Sequence, residues 1–288
     1  MAEPITALDP EARELARLRE ARGFVVDMDG TLVVGDPFTG HVKALPGAVD
    51  FVARLRARGI PLVVFTNGTN RSPVRYAAHL RAAGIPVSPT EILTPLHSAV
   101  TICRRRGHHR VMLMAAGGGA VTLRKAGIDV VPALGRRDDV DAVIVGWFPQ
   151  LRYAHLEAAC HAVWSGARLY SASQSRFFAT SGGKTLATSR AISAAIHSIT
   201  DRRVELVGKP SALAMAAAAE HLGIEAENLA VVGDDPELEV PMARLSGALG
   251  VAVYTGIAGR ADFAAQPAEL RPDLSFPSLA ELLAALAA

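Results

Sequence analysis

Short, continuous apolar runs alternate along this chain with longer segments of helical periodicity. The runs FVV at 24–26, PLVVF at 61–65 and LAVV at 229–232 have no polar face. A helix pattern such as AVDFVARLRARG at 48–59 separates one run from the next. Apolar strands with intervening helices are typical of a parallel sheet that helices cover on both faces. The pattern therefore predicts a doubly wound α/β fold, with a ligand site beyond the carboxyl ends of the strands.

The middle of the chain has its own alternation of strands and helices. RVMLMAA at 110–116, DAVIVGW at 141–147 and RLYSAS at 168–173 each precede a helix pattern. This arrangement predicts a second α/β module inserted into the first. We predict an N-terminal helical extension, a core in two segments and an inserted cap domain, at residues 1–22, 23–90 with 200–288, and 91–199 respectively.

The extension carries the signals of a short amphipathic helix. Asp9 is placed to cap its amino end, and Pro10 occupies the first helical position. Leu15 and Leu18 lie on the side that would face inward.

Composition and charge narrow the class of protein. Half of the 288 residues are hydrophobic and 20% are charged, which is ordinary for a globular protein. The formal net charge of +2 gives no electrostatic reason to expect a nucleic acid or a membrane surface as partner. No apolar run has the length of a transmembrane helix, and the first residues do not resemble a signal peptide. Cys103 and Cys160 form no CxxC pair, so we expect a reducing, cytoplasmic location.

Polar side chains follow four apolar runs that we assign to the core. The four polar segments are Asp27 to Thr31, Thr66 to Gly68, Gly208 to Pro210, and Gly233 to Asp235 with Glu239 beyond. If all four strands are parallel core strands, these segments meet at one edge of the sheet. The sequence thus predicts a cluster of carboxylates, one lysine and a hydroxyl beside backbone N–H groups.

The chemistry of such a cluster is that of phosphoryl transfer. Asp27, Asp29 and Asp234 offer hard oxygen ligands suited to Mg²⁺. Lys209 adds a positive charge that attracts phosphate and keeps a neighbouring carboxylate ionised. One carboxylate can attack phosphorus to give an aspartyl phosphate. A second can protonate the leaving oxygen and then take a proton from water. Phosphoryl oxygens can be bound by the Thr66 hydroxyl and the N–H groups around Gly30 and Asn67.

The same segments resemble the four motifs of the haloacid dehalogenase (HAD) superfamily of phosphatases. DMDGT, FTNGT, VGKP and GDDPELE occur in the order of that family. The long insert between the second and third motifs is similar to that of the class IIA branch, which includes NagD-like, p-nitrophenyl phosphatase-like, pyridoxal phosphate, nucleotide and glycerol phosphate phosphatases. The segments ALPGA, AVYTG and PDLSFPSLAELL also resemble this branch. The resemblance covers most of the chain from residue 23 onward.

The resemblance implies a role for each motif residue. Asp27 would be the nucleophile and Asp29 the acid and base, with Lys209 as the third catalytic residue. Mg²⁺ would be held by the Asp27 carboxylate, the Asp29 backbone carbonyl and Asp234. Phosphate would be bound by Gly30, Thr66, Asn67, Gly68 and Lys209. Asp235 or Glu239 would act from outside the ligand set, although many members of the branch have aspartate at the position of Glu239.

The cap departs from the branch in its substrate-facing segments. Gly146-Trp147-Phe148 stands where the branch commonly has GxD, so an acid is missing. Ala172-Ser173-Gln174-Ser175 stands where it commonly has TNPD. The segment TSGGKTLATS at 180–189 takes the place of a glycine-rich segment. These segments give four candidate specificity residues, namely Ser173, Gln174, Ser175 and Lys184.

Each motif also has a simpler interpretation. Asp27 and Asp29 could end a strand and form a turn, and Lys209 could be a solvated lysine. Asp235 and Glu239 could be helix N-terminal acids without a chemical role.

Three further segments resemble known ligand motifs only in part. SGGKT at 181–185 lacks the first glycine of a P-loop, and GGGA at 117–120 lacks the third glycine of a dinucleotide site. We interpret them as a cap loop and a strand-to-helix turn. RRRGHH at 104–109 fits a solvated helix end better than a metal site. Cap packing or an apolar pocket could use the aromatic residues Trp147, Phe148, Phe177 and Phe178.

The sequence therefore predicts Mg²⁺-dependent hydrolysis of a small phosphomonoester through an aspartyl phosphate. A sensor that binds a phosphorylated metabolite with little turnover is an alternative, because the cap segments are altered. A phosphotransferase is a second alternative. The expected partner is a small phosphorylated metabolite, and the resemblance to class IIA implies a possible homodimer formed through the caps.

Overall fold

The computed structural model describes residues 9–35, 42–180 and 183–287. The α-helices there are α1 Pro10–Glu20, α2 Ala48–Ala57, α3 Pro73–Ala82, α4 Pro95–Arg106, α5 Ala120–Lys125, α6 Tyr153–Trp164, α7 Thr188–Thr200, α8 Ala212–Leu222, α9 Glu239–Arg244, α10 Arg260–Ala264 and α11 Leu279–Ala287. The strands are β1 Gly23–Val26, β2 Val33–Gly35, β3 Val42–Ala44, β4 Leu62–Phe65, β5 Ile92–Leu93, β6 Arg110–Met114, β7 Asp129–Pro132, β8 Ala142–Val145, β9 Arg168–Ser171, β10 Phe177–Thr180, β11 Gly183–Leu186, β12 Val204–Leu206, β13 Leu229–Gly233, β14 Leu249–Val253 and β15 Leu274–Phe276. None of these helices is long and apolar enough to span a bilayer.

A six-stranded parallel sheet forms the core, in the order β15-β14-β13-β1-β4-β5. The central strand β1 is buried along its whole length. Phe24 and Val26 pack with α1, α2, α3 and α11, whereas Val25 points to the other face and packs with α8 and α9. Helices thus cover both faces of the sheet, and the predicted doubly wound core is confirmed.

A second parallel sheet forms the cap, in the order β12-β9-β8-β6-β7. One face of this sheet packs against α6 and α7. The other face packs against α4 and α5, and the same cluster includes Leu213 of the core helix α8. The predicted inserted α/β cap is confirmed, and α4 joins it to the core.

The cap boundaries differ from those predicted. We assigned residues from 200 onward to the core, but β12 pairs with the cap strand β9 through Val204 and Leu169. Helix α7 packs on the cap sheet and ends at Thr200, so the few residues before Val204 cannot carry the chain to the core sheet. At the other boundary, β5 pairs with β4 of the core. We therefore propose that the cap extends from about residue 94 to about residue 207.

The N-terminal helix is part of the core packing. The Asp9 side chain accepts a hydrogen bond from the Glu11 N–H at 3.4 Å, as its predicted capping role requires. Leu18 is fully buried, and Leu15 packs against the same hydrophobic cluster. The helix predicted over this segment is confirmed, and residues 1–8 of the predicted extension lie outside the described residues.

Two antiparallel hairpins lie where the cap meets the core. The hairpin β2–β3 belongs to the core and the hairpin β10–β11 belongs to the cap, and β10 contacts β2. An ion pair of 3.1 Å joins Arg176, next to β10, to Glu237 of the core. Both side chains are exposed, so this pair contributes little stability. The contacts nevertheless place the cap hairpin over the carboxyl end of the core sheet.

Candidate active site

The centre of the site is an ion-paired lysine. Asp27 follows β1, and its backbone N–H donates to Val232 O at 2.9 Å. Lys209 is 1% exposed, and its ammonium donates to Asp27 Oδ1 and, at 2.6 Å, to Glu239 Oε1. We predicted that all four motifs follow core strands, but Lys209 follows β12 of the cap sheet. The lysine therefore reaches the core carboxylates from the cap side.

The charges in this cluster do not balance. Burial alone would lower the pKa of Lys209, but the charges of Asp27 and Glu239 outweigh it and raise that pKa above its usual value. The lysine is therefore a cation at neutral pH. Burial also raises the pKa of Glu239, with the charge of Asp27 acting in the same direction and Lys209 opposing it. One ammonium can compensate only one of the two carboxylates, and the raised pKa of Glu239 favours a proton on that acid.

Asp29 is suited to carry a proton. Its Oδ2 accepts a hydrogen bond of 3.4 Å from the Thr66 hydroxyl. Burial and the charge of Asp27 raise the pKa of Asp29 to about 7, while Lys209, Thr66 and Arg71 oppose this increase. A carboxyl group with a pKa near neutrality can both release and accept a proton at the pH of the cell.

Asp234 is held in place by the core. Its Oδ1 accepts a hydrogen bond of 3.2 Å from the Thr31 hydroxyl, and its Oδ2 accepts one of 2.9 Å from the Ile257 N–H. Burial raises the pKa of Asp234, and the charges of Asp27 and Glu239 raise it further. Sequence reasoning missed Thr31, although it is the last residue of the quoted segment DMDGT.

The backbone groups of Gly30 itself are used within the core. We predicted that N–H groups around Gly30 bind phosphate, but the N–H of Gly30 donates to Val33 O at 2.8 Å, so any such contact would come from its neighbours. The Gly30 carbonyl accepts a hydrogen bond of 2.7 Å from the Thr255 hydroxyl. The residue has a φ of +97°, and a β-carbon here would overlap the Asp234 carboxylate. Glycine is thus required because Asp234 approaches the backbone closely.

The second motif places a hydroxyl beside Asp29. Thr66 follows β4, and its buried side chain lines the cavity between core and cap. The Gly68 N–H donates to the Thr66 hydroxyl oxygen at 3.0 Å. The predicted phosphate contact of Gly68 is therefore not supported, because its donor is already used to orient Thr66. The predicted contact of Thr66 with phosphate stays a prediction.

Asn67 does not present its side chain to a ligand. Its Oδ1 accepts a hydrogen bond of 3.0 Å from the Lys209 N–H. Its Nδ2 donates to Lys209 O at 3.1 Å and to Ser173 Oγ at 3.2 Å. Both ends of the side-chain amide are therefore occupied. The predicted phosphate contact was with the N–H groups around Asn67, and it stays a prediction.

Glu239 of the fourth motif binds both the lysine and the backbone of Asp235. The Asp235 N–H donates to Glu239 Oε2 at 3.2 Å, and the Glu237 N–H donates to Asp235 Oδ1 at 2.8 Å. Burial raises the pKa of Asp235 to about 6. Glu239 directs its other oxygen to Lys209, so the structure gives it a lysine-holding role. Its predicted contact with the metal shell, like that of Asp235, stays a prediction.

Only two of the four predicted cap residues face the site. Ser173 and Ser175 line the cavity. Lys184 does not, because its ammonium lies 4.1 Å from the centre of the Phe177 ring at the surface. Gln174 does not either, and its carbonyl accepts a hydrogen bond of 3.2 Å from Arg190. The described cap residues along the cavity are Trp147, Ser173, Ser175, Phe177, Ala187 and Ser189, and all of them are neutral.

The core adds a guanidinium and an imidazole to the cavity, both of which sequence reasoning missed. Arg71 and His79 line the cavity beside Asn70. Arg71 is near enough to oppose the raised pKa of Asp29. Burial lowers the pKa of His79, as do the charges of Arg71 and Arg75. The sequence feature that could have indicated this cation is Arg71, which lies two residues after FTNGT.

The remaining sequence segments have structural roles. In GGGA, the Gly118 N–H donates to the core carbonyl of Asn70 at 3.0 Å, so this turn packs on the core. The described part of SGGKT begins the antiparallel strand β11, whereas a P-loop needs a strand, a loop and a helix. In RRRGHH, Arg106 pairs with Glu205 at 2.7 Å. Trp147 and Phe177 line the cavity, Phe148 packs in the cap, and the side chain of Phe178 lies outside the described part.

The buried carboxylates fit a divalent cation. Asp27 and Glu239 bind one buried ammonium, and Asp29 and Asp234 are close enough to Asp27 for its charge to raise their pKa values. A divalent cation would favour the ionised forms of these acids. Their oxygen atoms are the donors that Mg²⁺ prefers. No group of three His, Cys, Asp or Glu side chains placed to hold a metal occurs in the described part of the chain. The predicted ligands are two side chains and one backbone carbonyl, which need no such group.

Comparison with known proteins agrees with this geometry. A model of haloacid dehalogenase-like hydrolases matches residues 24–129, and a HAD-hydrolase-like model matches residues 206–282. The acid sugar phosphatase of Staphylococcus epidermidis is 27% identical over 93% of this chain and 99% of its own. The p-nitrophenyl phosphatase of Archaeoglobus fulgidus is 28% identical with a TM-score of 0.80, covering 93% of this chain and all of the other (100%). NagD of E. coli K-12 is 26% identical with a TM-score of 0.78, and the match covers 90% of this chain and 97% of NagD.

The chain belongs to the haloacid dehalogenase-like hydrolases. Its inserted cap and its structural neighbours place it in the class IIA branch, as the motifs predicted.

Proposed function

We propose that this protein hydrolyses a small phosphomonoester with the help of Mg²⁺, through an aspartyl phosphate on Asp27. The observation that carries the proposal is the buried pair of Asp27 and Lys209, with an Asp29 carboxyl of raised pKa two residues away. The phosphatase names of the relatives support the same reaction class.

The proposed reaction has two steps. In the first, a carboxylate oxygen of Asp27 attacks phosphorus, the bond to the leaving oxygen breaks, and Asp29 protonates that oxygen. In the second, Asp29 takes a proton from water, and the water oxygen attacks phosphorus. This frees Asp27 and releases inorganic phosphate. Lys209 stays charged and fixes Asp27 during both steps.

The metal would be held by the Asp27 and Asp234 carboxylates and the Asp29 carbonyl. When bound, Mg²⁺ supplies positive charge that stabilises the negative charge on the phosphoryl oxygens. The cap covers the cavity, so we expect it to exclude macromolecular substrates and most water.

A substrate panel tests this proposal. Purified protein is given sugar phosphates, glycerol phosphate and p-nitrophenyl phosphate, each with Mg²⁺ and then with EDTA. We expect phosphate release with Mg²⁺, its loss with EDTA and its return when Mg²⁺ is added in excess. Tight binding without phosphate release would instead favour the sensor. Transfer to an added alcohol in place of water would favour the phosphotransferase.

Replacing Asp29 by asparagine should slow turnover by about 10²–10⁴-fold, because the amide cannot exchange the proton. Mg²⁺ affinity should change little, since the proposed ligand is the backbone carbonyl of residue 29. Initial rates and calorimetric titration with Mg²⁺ measure the two effects. A large loss of Mg²⁺ affinity would contradict the assignment of the carbonyl as ligand.

Without metal, the protein should become less stable as pH rises. The folded state holds the pKa of Asp29 at about 7, and burial also raises the pKa of Asp234 and Glu239, above the values of unfolded chains. Their contribution to stability is full below pH about 4 and is lost as pH rises through the folded pKa values. Thermal unfolding in EDTA across this range measures the loss. In Asp29→Asn the decline should be shallower, and an equal slope would contradict a raised pKa at Asp29.

A further inference from the structure

The side chain of Asn67 joins the second motif, the third motif and the cap. Its amide oxygen accepts from the Lys209 N–H at 3.0 Å, and its amide nitrogen donates to the Lys209 carbonyl at 3.1 Å. The amide thus pairs with both backbone groups of the lysine. The same nitrogen donates to Ser173 Oγ of the cap at 3.2 Å.

The backbone before Lys209 is confined from two sides. A β-carbon on Gly208 would overlap the carbonyl of Ala172 and lie 2.8 Å from Asn67 Oδ1. This close packing holds the third motif between the end of the cap strand β9 and the amide of Asn67. The backbone position of Lys209 is therefore set by Asn67 and the cap together.

The cap also holds the rest of the loop that carries Asn67. The Trp147 N–H donates to Thr69 Oγ1 at 2.8 Å, and the Gly118 N–H donates to Asn70 O at 3.0 Å. Three separate cap segments therefore contact residues 67–70. The positions of Thr66 and Lys209 therefore depend on contacts between the cap and this core loop.

The Ser173 hydroxyl extends this network to the cavity. Ser173 Oγ donates to Ser175 Oγ at 2.9 Å, and both serines line the cavity. A chain of hydrogen bonds consequently runs from the substrate-facing surface of the cap, through Asn67, to the backbone of Lys209.

We propose that Asn67 is a positioning residue for Lys209. Ser173 connects the cap to Asn67 through its hydrogen bond with the Asn67 amide. With the backbone of Lys209 fixed by the Asn67 amide, the ammonium lies between Asp27 and Glu239. The kinetic part of this inference rests on the proposed phosphatase function, whereas the structural part does not.

The inference makes a specific kinetic claim. Lys209 contacts Asp27, the proposed nucleophile, which reacts with every substrate, so a displaced lysine should slow all substrates by a similar factor. A side chain that bound the leaving group would give factors that differ between substrates. This difference separates a positioning residue from a specificity residue.

The experiment compares Asn67→Ala with the wild type on three phosphomonoesters of different leaving groups. We expect kcat to fall by about 10²-fold on each, as for a small misplacement of a catalytic group. Ser173→Ala removes one of the three bonds of the amide, so its loss should be smaller and equally independent of the leaving group. Asn228→Ala and Ser198→Ala, away from the site, are the matched controls.

A crystal structure of Asn67→Ala gives a readout that does not need activity. The distance of 2.6 Å between Lys209 Nζ and Glu239 Oε1 should increase beyond hydrogen-bonding range. An unchanged lysine, an unchanged kcat or a loss that depends on the leaving group would overturn the proposal. If the wild type itself releases no phosphate, the proposed function fails, and the position of Lys209 still decides the role of Asn67.

Discussion

Replacing Asp27 by asparagine should reduce phosphate release by about 10⁴-fold or more with every substrate. The amide is a poor nucleophile and cannot form the acyl phosphate, so the first step has no substitute. The substitution changes the shape of the side chain little, and Lys209 keeps its bond to Glu239. Initial rates with p-nitrophenyl phosphate and the best substrate of the panel measure the loss.

The exposed Asp138 provides the control for this substitution. Asp138→Asn makes the same chemical change far from the cavity and should leave the rate unchanged. If Asp27→Asn turned over at a rate close to that of the wild type, Asp27 would not be the nucleophile.

Replacing Lys209 by methionine should abolish turnover and lower the free energy of unfolding by about 3–5 kcal/mol. The substitution leaves the carboxylates of Asp27 and Glu239 buried beside each other without a cation. Urea unfolding of the metal-free protein at neutral pH measures the change. The exposed Lys125 is the matched control, and Lys125→Met should have little effect.

A second substitution tests the cause of this loss. Adding Glu239→Gln to Lys209→Met removes the acid that would otherwise ionise beside Asp27, so part of the lost stability should return when the two proteins are compared above the raised pKa of Glu239. If Lys209→Met were as stable as the wild type, or if Glu239→Gln destabilised it further, the lysine would not balance these carboxylates.

Most of the core could be predicted from the sequence because its signals are local. Asp27, Thr66 and Asp234 each follow an apolar run that is a buried strand of the core sheet. Parallel pairing then brings the ends of these strands together at one edge.

The origin of Lys209 could not be predicted in the same way. Its strand, Val204–Leu206, is a half-buried run of three residues. Such a run can pair with either sheet, and the choice depends on where the preceding helix α7 packs. The motif therefore singled out the lysine that pairs with Asp27, while its predicted placement after a core strand was wrong.

Side-chain directions were the least predictable part of the site. The role of Gly30 depends on Asp234, which lies about two hundred residues further along the chain. Likewise, Lys184 lies opposite Ala179 in a hairpin, and only that register shows that its ammonium covers Phe177 at the surface. Long-range contacts of this kind leave no pattern in the nearby sequence.

The covalent step on Asp27 can be measured most directly by trapping. Borohydride reduces an acyl phosphate but not a free carboxylate, so protein quenched with it during turnover should carry homoserine at position 27. Peptide mass spectrometry would detect this change in the wild type and not in protein without substrate. An unmodified Asp27 during continuing phosphate release, or reduction at another carboxylate, would contradict the proposed nucleophile.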